Sequence, residues 1–105
     1  MKEITVQQLK SMIDAGEDFQ LVDVREPHEY ELTNIEGELI PLGEVAARAD
    51  EVETDKKVVV MCRSGKRSAT AIEYLEDTTG HEELYNLVGG ILAWGREIDD
   101  KIVQY

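Results

Sequence analysis

The chain has one cysteine, two prolines and 11 basic residues against 23 acidic ones. A single cysteine excludes an internal disulfide and gives no sign of an oxidising compartment. No apolar run approaches the roughly 18 residues of a membrane span, and the first residues, MKEITVQQLK, lack an apolar run of signal-peptide length. The formal net charge of -12 disfavours nucleic acid and anionic membranes as partners, because both require a basic surface. We therefore expect a cytoplasmic protein.

The order of apolar segments predicts the fold class. The 105 residues contain no repeat, low-complexity segment or linker, so we expect one domain over residues 1–105. Short apolar runs alternate with helical periodicity, which is typical of an α/β fold with a parallel sheet. The predicted strands are EITV, FQLVDV, Leu39–Ile40, KKVVVM and EELYNLV. One helix is predicted after a Thr5–Gln8 capping box, and a second, short helix is predicted to begin at Pro27. Three more helices are predicted in GEVAARADEV, SATAIEYLED and GILAWGREID, the last with Trp94 in the core.

The only cysteine lies in the stretch VVVMCRSGKRSATA, within five positions of three of the 11 basic residues. Cys62 follows the KKVVVM strand, and open parallel sheets bind ligands at the carboxyl ends of their strands. Gly65 permits a tight turn with inward-pointing backbone N–H groups, and a helix starting near Arg67 adds its positive dipole end. Arg63, Lys66 and Arg67 add full charges. All of these features favour a thiolate, so the pattern predicts a reactive cysteine with a lowered pKa.

Four blocks of the sequence resemble the signature blocks of the rhodanese-like domain family, in the family's order and spacing. They are LVDVREPHEYEL, IEGELIPLGEV, VVVMCRSGKRSATA and LVGGILAW, and the resemblance extends over roughly Glu3 to Asp99. It implies a three-layer α/β fold whose central, mostly parallel five-stranded sheet is flanked by helices. It also implies a sulfurtransferase that moves a sulfane sulfur, through a Cys62 persulfide, from thiosulfate or a persulfide to a thiophilic acceptor.

The candidate site is therefore built around one nucleophile. We predict that Cys62 is catalytic and performs covalent catalysis in two steps. Asp23 and Arg25, at the end of the second strand, are expected to support the loop through hydrogen bonds or an ion pair. We expect the anionic sulfur donor to be bound by the loop residues Arg63, Ser64, Gly65, Lys66, Arg67 and Ser68. The expected acceptor is a thiol or a protein, and no metal or organic cofactor is implied.

Two other functions share parts of this pattern. A cysteine phosphatase or arsenate reductase of similar fold needs an arginine six positions after its cysteine, to grip the oxyanion with two hydrogen bonds. That position is Ser68, so the loop is one residue short for phosphate and fits a single sulfur better. A non-catalytic or sulfur- or redox-sensing rhodanese-like module would have the same loop, and the sequence leaves this alternative open.

The remaining polar residues are interpreted as structural or exposed. The carboxylates from Glu26 to Glu31 have the spacing of a solvated helix face. His28 and His81 are too few and too far apart for a zinc site, and we predict both at the surface. The family usually has Gly-His and Pro where this chain has Thr33–Asn34 and Glu36, so the sequence does not predict the loop geometry there.

Overall fold

The computed structural model describes residues 1–105 and contains five strands and four helices. The strands are β1 (Lys2–Ile4), β2 (Gln20–Asp23), β3 (Glu38–Leu39), β4 (Val58–Met61) and β5 (Leu84–Leu87). The helices are α1 (Val6–Asp14), α2 (Pro27–Leu32), α3 (Lys66–Thr79) and α4 (Gly90–Glu97). None of these helices has the length and apolar character that crossing a bilayer requires.

The strands form one sheet in the order β1-β5-β4-β2-β3, and every neighbouring pair is parallel. The predicted α/β class and five-stranded sheet are thus confirmed. Because all strands run in one direction, the residues that follow them gather at one end of the sheet, here called the carboxyl end. The residues that precede the strands gather at the opposite, amino end. Asp23 and Met61 pair in register, so β2 and β4 finish side by side.

The central strand β4 is buried on both faces. Val58 and Val60 belong to the core under α3, whereas Val59 and Met61 belong to the core under α1 and α4. Side chains of a strand alternate between faces, so two covered faces leave no position for a polar residue. This arrangement accounts for the uninterrupted apolar run in the sequence. Trp94 lies in the second core, as predicted.

Local signals set where the first helices begin. The Thr5 hydroxyl accepts the backbone N–H of Gln8 at 3.1 Å, and the Gln8 side chain accepts the backbone N–H of Thr5 at 2.9 Å. This is the predicted capping box, which satisfies two N–H groups at the start of α1. Pro27 occupies the first turn of α2, also as predicted.

The helix predicted in GEVAARADEV is wrong. The structure has two short 3-10 turns there, Leu42–Glu44 and Ala49–Glu51. Val45 and Val52 are the buried residues that anchor this connection. Leu42 and Ala49 pack against the same core, so the apolar spacing by itself resembles that of a helix. The backbone of Arg48 (φ −115°, ψ 21°) lies outside the helical range and divides the segment into separate turns.

Candidate active site

The loop around Cys62 begins where β4 ends, at the carboxyl end of the sheet. Cys62 directly follows Met61, and α3 begins at Lys66, one residue before the predicted start. Gly65 has a φ of 106°, in the region that favours glycine. The chain therefore turns from strand to helix in four residues, 62–65, and the predicted tight turn is confirmed.

The thiol of Cys62 lies inside this turn and is 1% exposed. The backbone N–H of Gly65 donates to Sγ at 3.1 Å, and the Ser68 hydroxyl lies 3.4 Å from Sγ. Burial raises the pKa of the Cys62 thiol, but hydrogen bonds from Ser68, Gly65 and Ser64 outweigh it and leave the pKa below its ordinary value. The site thus favours the thiolate, which is the nucleophilic form of cysteine.

A closed ring of hydrogen bonds holds the groups that contact the sulfur. Ser68 donates to Oδ1 of Asn86 at 2.5 Å, and Nδ2 of Asn86 donates to the carbonyl oxygen of Gly65 at 3.0 Å. Asn86 therefore fixes both the hydroxyl and the turn that face Cys62. Sequence reasoning missed Asn86, although a polar residue between Tyr85 and Leu87 in a buried strand was a signal that could have indicated it.

The amino end of α4 holds the loop from a second side. The backbone N–H of Ile91 donates to the carbonyl oxygen of Cys62 at 3.0 Å, and that of Leu92 donates to Arg63 at 3.2 Å. A Cβ on Gly90 would lie 2.5 Å from both of these carbonyl oxygens. The absence of a side chain at Gly90 is what lets the helix approach the loop this closely.

The three loop cations have different surroundings. Arg67 forms a bidentate pair with Glu29, with N–O distances of 2.7 and 2.9 Å. The guanidinium of Arg63 lies over the ring of Tyr105, 5.1 Å from its centroid, and donates to the Tyr105 backbone oxygen. Lys66 is exposed and makes no salt bridge. Ser64 is exposed as well, so its backbone N–H is the part of it that serves the thiol.

The expected ion pair of Asp23 and Arg25 is present and wholly buried. Both side chains are 0% exposed, and the closest N–O distance is 2.7 Å. Arg25 also donates to the backbone carbonyl oxygens of Glu29 and Thr33. Burial lowers the pKa of Arg25, but the hydrogen bonds that it donates to Asp23 and Tyr105 outweigh burial and raise the pKa overall. The pair thereby ties the end of β2 to both ends of α2.

The interpretation of the α2 carboxylates as a solvated face is wrong for Glu29, which is buried. Its carboxylate accepts hydrogen bonds from the Arg67 guanidinium, from the backbone N–H of Glu26 at 3.0 Å and from the Tyr105 hydroxyl at 2.7 Å. The hydrogen bonds from Arg67 are the main reason that the pKa of Glu29 lies well below its ordinary value. The capping position three residues after Glu26 was a local signal for an inward carboxylate, but no local pattern indicated Arg67 or Tyr105 as its partners.

The two histidines lie apart, and one of them is not at the surface. His28 is exposed as predicted, whereas His81 is buried and its Nε2 lies 2.9 Å from the carbonyl oxygen of Val52. The prediction for His81 is therefore wrong, because the imidazole serves to satisfy a buried backbone carbonyl. Nowhere do three side chains of the His, Cys, Asp or Glu types come together as possible ligands of a metal ion.

Known proteins share this sequence and fold. The rhodanese-like domain family model matches residues 5–97. A sulfurtransferase from Allochromatium vinosum is 38% identical, with 91% of this chain and 90% of that protein aligned. YrkF of Bacillus subtilis, named as a candidate sulfur carrier protein, is 37% identical over 88% of this chain. The crystal structure of a rhodanese-like domain protein from Staphylococcus aureus has a TM-score of 0.83 and 31% identity, covering 93% of this chain and 95% of that one.

The lengths of these relatives differ. The chain spans 50% of YrkF but nearly the whole of the Allochromatium vinosum and Staphylococcus aureus proteins. The family-model match, residues 5–97, includes strands β2 to β5, the cysteine loop and all four helices. Because the family model spans most of the sequence and a relative of matching length shares more than a third of its residues, the chain belongs to the rhodanese-like domain family.

Proposed function

We propose that this chain is a sulfurtransferase that carries a sulfane sulfur on Cys62. The observation that carries the proposal is the surroundings of Sγ, where the backbone N–H of Gly65 donates at 3.1 Å and the backbone N–H groups of Ser64 and Ser68 also face the sulfur. Donors aimed at a buried sulfur stabilise negative charge with little reorganisation during the reaction. Names of relatives support the same activity, since one is called a sulfurtransferase and another a candidate sulfur carrier.

The reaction consists of two balanced transfers. In the first, the Cys62 thiolate attacks the outer sulfur of thiosulfate, the S–S bond of the donor breaks, and sulfite leaves with the bonding electron pair. The product is the persulfide anion Cys62–S–S⁻. In the second, an acceptor thiolate or cyanide attacks the outer sulfur, and the Cys62 thiolate leaves and is restored. Each transfer conserves charge and needs no proton, oxidant or metal, as expected for covalent catalysis in two steps.

The proposed donor is a small anion with a terminal sulfur. Cys62 is 1% exposed, so the transferred atom must enter the turn to reach Sγ. Of the predicted binding residues, Ser64, Gly65 and Ser68 provide hydrogen-bond donors, and Lys66 is the loop cation without a salt bridge. Lys66 stands at the amino end of α3 and is placed to attract an anion toward the loop.

The surroundings of Arg67 argue against a phosphatase or arsenate reductase. Its guanidinium already binds the Glu29 carboxylate at two points, and the residue after it is Ser68, whose hydroxyl faces Sγ. No guanidinium is left to grip a phosphate in the manner that those enzymes require. We propose that Arg67, like Asp23 and Arg25, supports the loop and that the transferred group is a single sulfur atom.

The cytoplasmic location stays a prediction of the sequence.

A thiosulfate–cyanide assay on the wild type and Cys62→Ser tests the proposal. We expect thiocyanate from the wild type, parallel double-reciprocal lines for the two substrates, and no turnover by the variant. Persulfide donors and thiol acceptors extend the assay if thiosulfate is inactive. Turnover by Cys62→Ser, or rapid hydrolysis of p-nitrophenyl phosphate, would overturn the proposal. If the wild type transferred sulfur from none of the donors, the binding or sensing alternative would be favoured.

A further inference from the structure

The residues after α4 return across the helix to the site. This tail, residues 98–105, packs Ile102 into the core beside α4. Gly95 makes room for it, because a Cβ at that position would lie 3.1 Å from Ile102. Farther along, the backbone N–H of Val103 donates to the Thr33 hydroxyl at 3.2 Å, and the Gln104 side chain donates to the carbonyl oxygen of Leu92. The tail therefore has a defined path that ends beside the cysteine loop.

The side chain of Tyr105 lies between two ion pairs. Its hydroxyl donates to Oε2 of Glu29 at 2.7 Å and accepts from Arg25 at 3.2 Å. The guanidinium of Arg63 lies over the face of the Tyr105 ring, at a distance suited to a cation–π contact. One tyrosine thus joins the buried Asp23–Arg25 pair to the Glu29–Arg67 pair, and contacts a loop arginine with its ring.

Arg63 and Arg67 stand on either side of the segment Ser64–Lys66, which provides N–H groups to the thiol. Tyr105 holds the first directly and the second through Glu29. We propose that Tyr105 is a positioning residue that fixes both ends of the cysteine loop, and this inference rests on the proposed sulfur transfer. It acts through Arg63 and Glu29, since Tyr105 makes no hydrogen bond to Cys62 itself.

A purely structural tyrosine would anchor the tail and leave the reactivity of Cys62 unchanged. The chain offers a control, because Tyr85 makes the same two kinds of contact, one to a carboxylate and one to a cation, at the amino end of the sheet. The Tyr85 hydroxyl donates to Glu83 at 3.0 Å, and its ring lies 5.5 Å from Nζ of Lys2. Removing the hydroxyl of Tyr85 therefore deletes a tyrosine–carboxylate hydrogen bond of the same kind away from the loop.

The test compares Tyr105→Phe, Tyr105→Ala and Tyr85→Phe with the wild type. Two quantities are measured, the alkylation rate of Cys62 by iodoacetamide as a function of pH and the kinetics of sulfur transfer from thiosulfate. Misplacing reacting groups by an ångström costs up to about 100-fold in rate, so we expect kcat/KM to fall about tenfold in Tyr105→Ala and about threefold in Tyr105→Phe. The fall should lie mainly in kcat, and the pH midpoint of alkylation should rise.

Tyr105→Phe keeps the ring over Arg63 and guards against a variant that fails to fold. The proposal is overturned if both Tyr105 variants alkylate and transfer sulfur like Tyr85→Phe, with only their resistance to denaturant reduced. It is also overturned if Tyr85→Phe has the same effect on Cys62. Alkylation needs no sulfur transfer, so a wild type inactive with every donor would refute the proposed function while the alkylation profiles still decide the role of Tyr105.

Discussion

Ion pairs at the two ends of the sheet lie in opposite surroundings. At the amino end, Lys2–Glu83 and Lys57–Glu17 have N–O distances of 3.5 Å, and their side chains are between 38% and 47% exposed. At the carboxyl end, the side chains of Asp23 and Arg25 are 0% exposed, and the Glu29 side chain is 10% exposed where it meets Arg67, whose side chain is 34% exposed. Solvent screens the first group, whereas the second group depends on its own partners for charge compensation.

The difference shows what the buried charges do. No buried side-chain nitrogen or oxygen lacks a hydrogen-bond partner, so the charges at the carboxyl end are fully compensated. Such a network costs desolvation free energy and is weak evidence for stability, but it allows little alternative geometry. The buried Asp23–Arg25 pair joins β2 to α2, and the Glu29–Arg67 pair joins α2 to the start of α3 beside the Cys62 loop. We propose that the two pairs together support that loop.

The largest contrast should come from removing one cation at each end. Arg25→Met leaves the Asp23 carboxylate buried without its partner, so we expect the free energy of unfolding to fall by about 3–5 kcal/mol. Lys57→Met removes an exposed partner of Glu17, and the fall should stay within about 1 kcal/mol. Denaturant unfolding at neutral pH measures both. Equal losses at the two ends would contradict the distinction between them.

Two glycines sharpen the comparison next. Gly90→Ala places a Cβ 2.5 Å from the backbone oxygens of Cys62 and Arg63, at a φ of 59°. Backbone strain and steric overlap together should lower the free energy of unfolding by about 2–4 kcal/mol and slow the alkylation of Cys62. Gly43 has a negative φ and no atom within 4 Å of an added Cβ, so Gly43→Ala should change stability by less than about 1 kcal/mol. If Gly90→Ala changed neither the free energy of unfolding nor the alkylation rate of Cys62, α4 would not hold the loop.

The smallest effect should appear in the acid dependence of stability. The hydrogen bonds from Arg67 lower the pKa of Glu29 below its ordinary value of 4.5. As the pH falls below 4.5, the unfolded chain therefore binds more protons at Glu29 than the folded chain does. The contribution of the Glu29 carboxylate to the free energy of unfolding is thus complete above that pH and is lost toward lower pH. Glu29→Gln should unfold about 1–2 kcal/mol more easily at pH 7, with a difference that shrinks in acid.

Glu83→Gln is the matched change at the amino end. The exposed Lys2–Glu83 pair is worth little, so this variant should differ from the wild type by a small amount that hardly changes with pH. Denaturant midpoints measured from pH 7 to pH 3 give both difference curves. A Glu29→Gln difference that is independent of pH would contradict the role assigned to the Glu29–Arg67 pair.

Local rules predicted those parts of the molecule that depend on neighbours in sequence. The capping box at Thr5, the start of α2 at Pro27, the buried strand β4 and the turn at Gly65 each depend on a few adjacent residues. The Cys62 loop was predictable for the same reason, since its strand, thiol and turn are continuous in sequence. The family resemblance then supplied the five-stranded, mostly parallel sheet, whereas the order of its strands came from the structure.

Contacts between distant positions could not be predicted in this way. Arg67 is 38 positions from Glu29, and Tyr105 is 76 positions from it. The sequence pattern of α2 is the same whether its carboxylate faces water or a guanidinium, so the pattern cannot distinguish the two. Only the folded path of the tail decides that Tyr105 completes the network, so this part of the site required the structure.

The most direct test of a sulfur-carrying cysteine is the intact mass of the protein after incubation with a sulfur donor alone. We predict that thiosulfate or a persulfide donor adds one sulfur, about 32 Da, to the wild type and nothing to Cys62→Ser, and that cyanide then removes it. A wild type whose mass stays constant with every donor, or a Cys62→Ser variant that gains the same mass, would contradict the account.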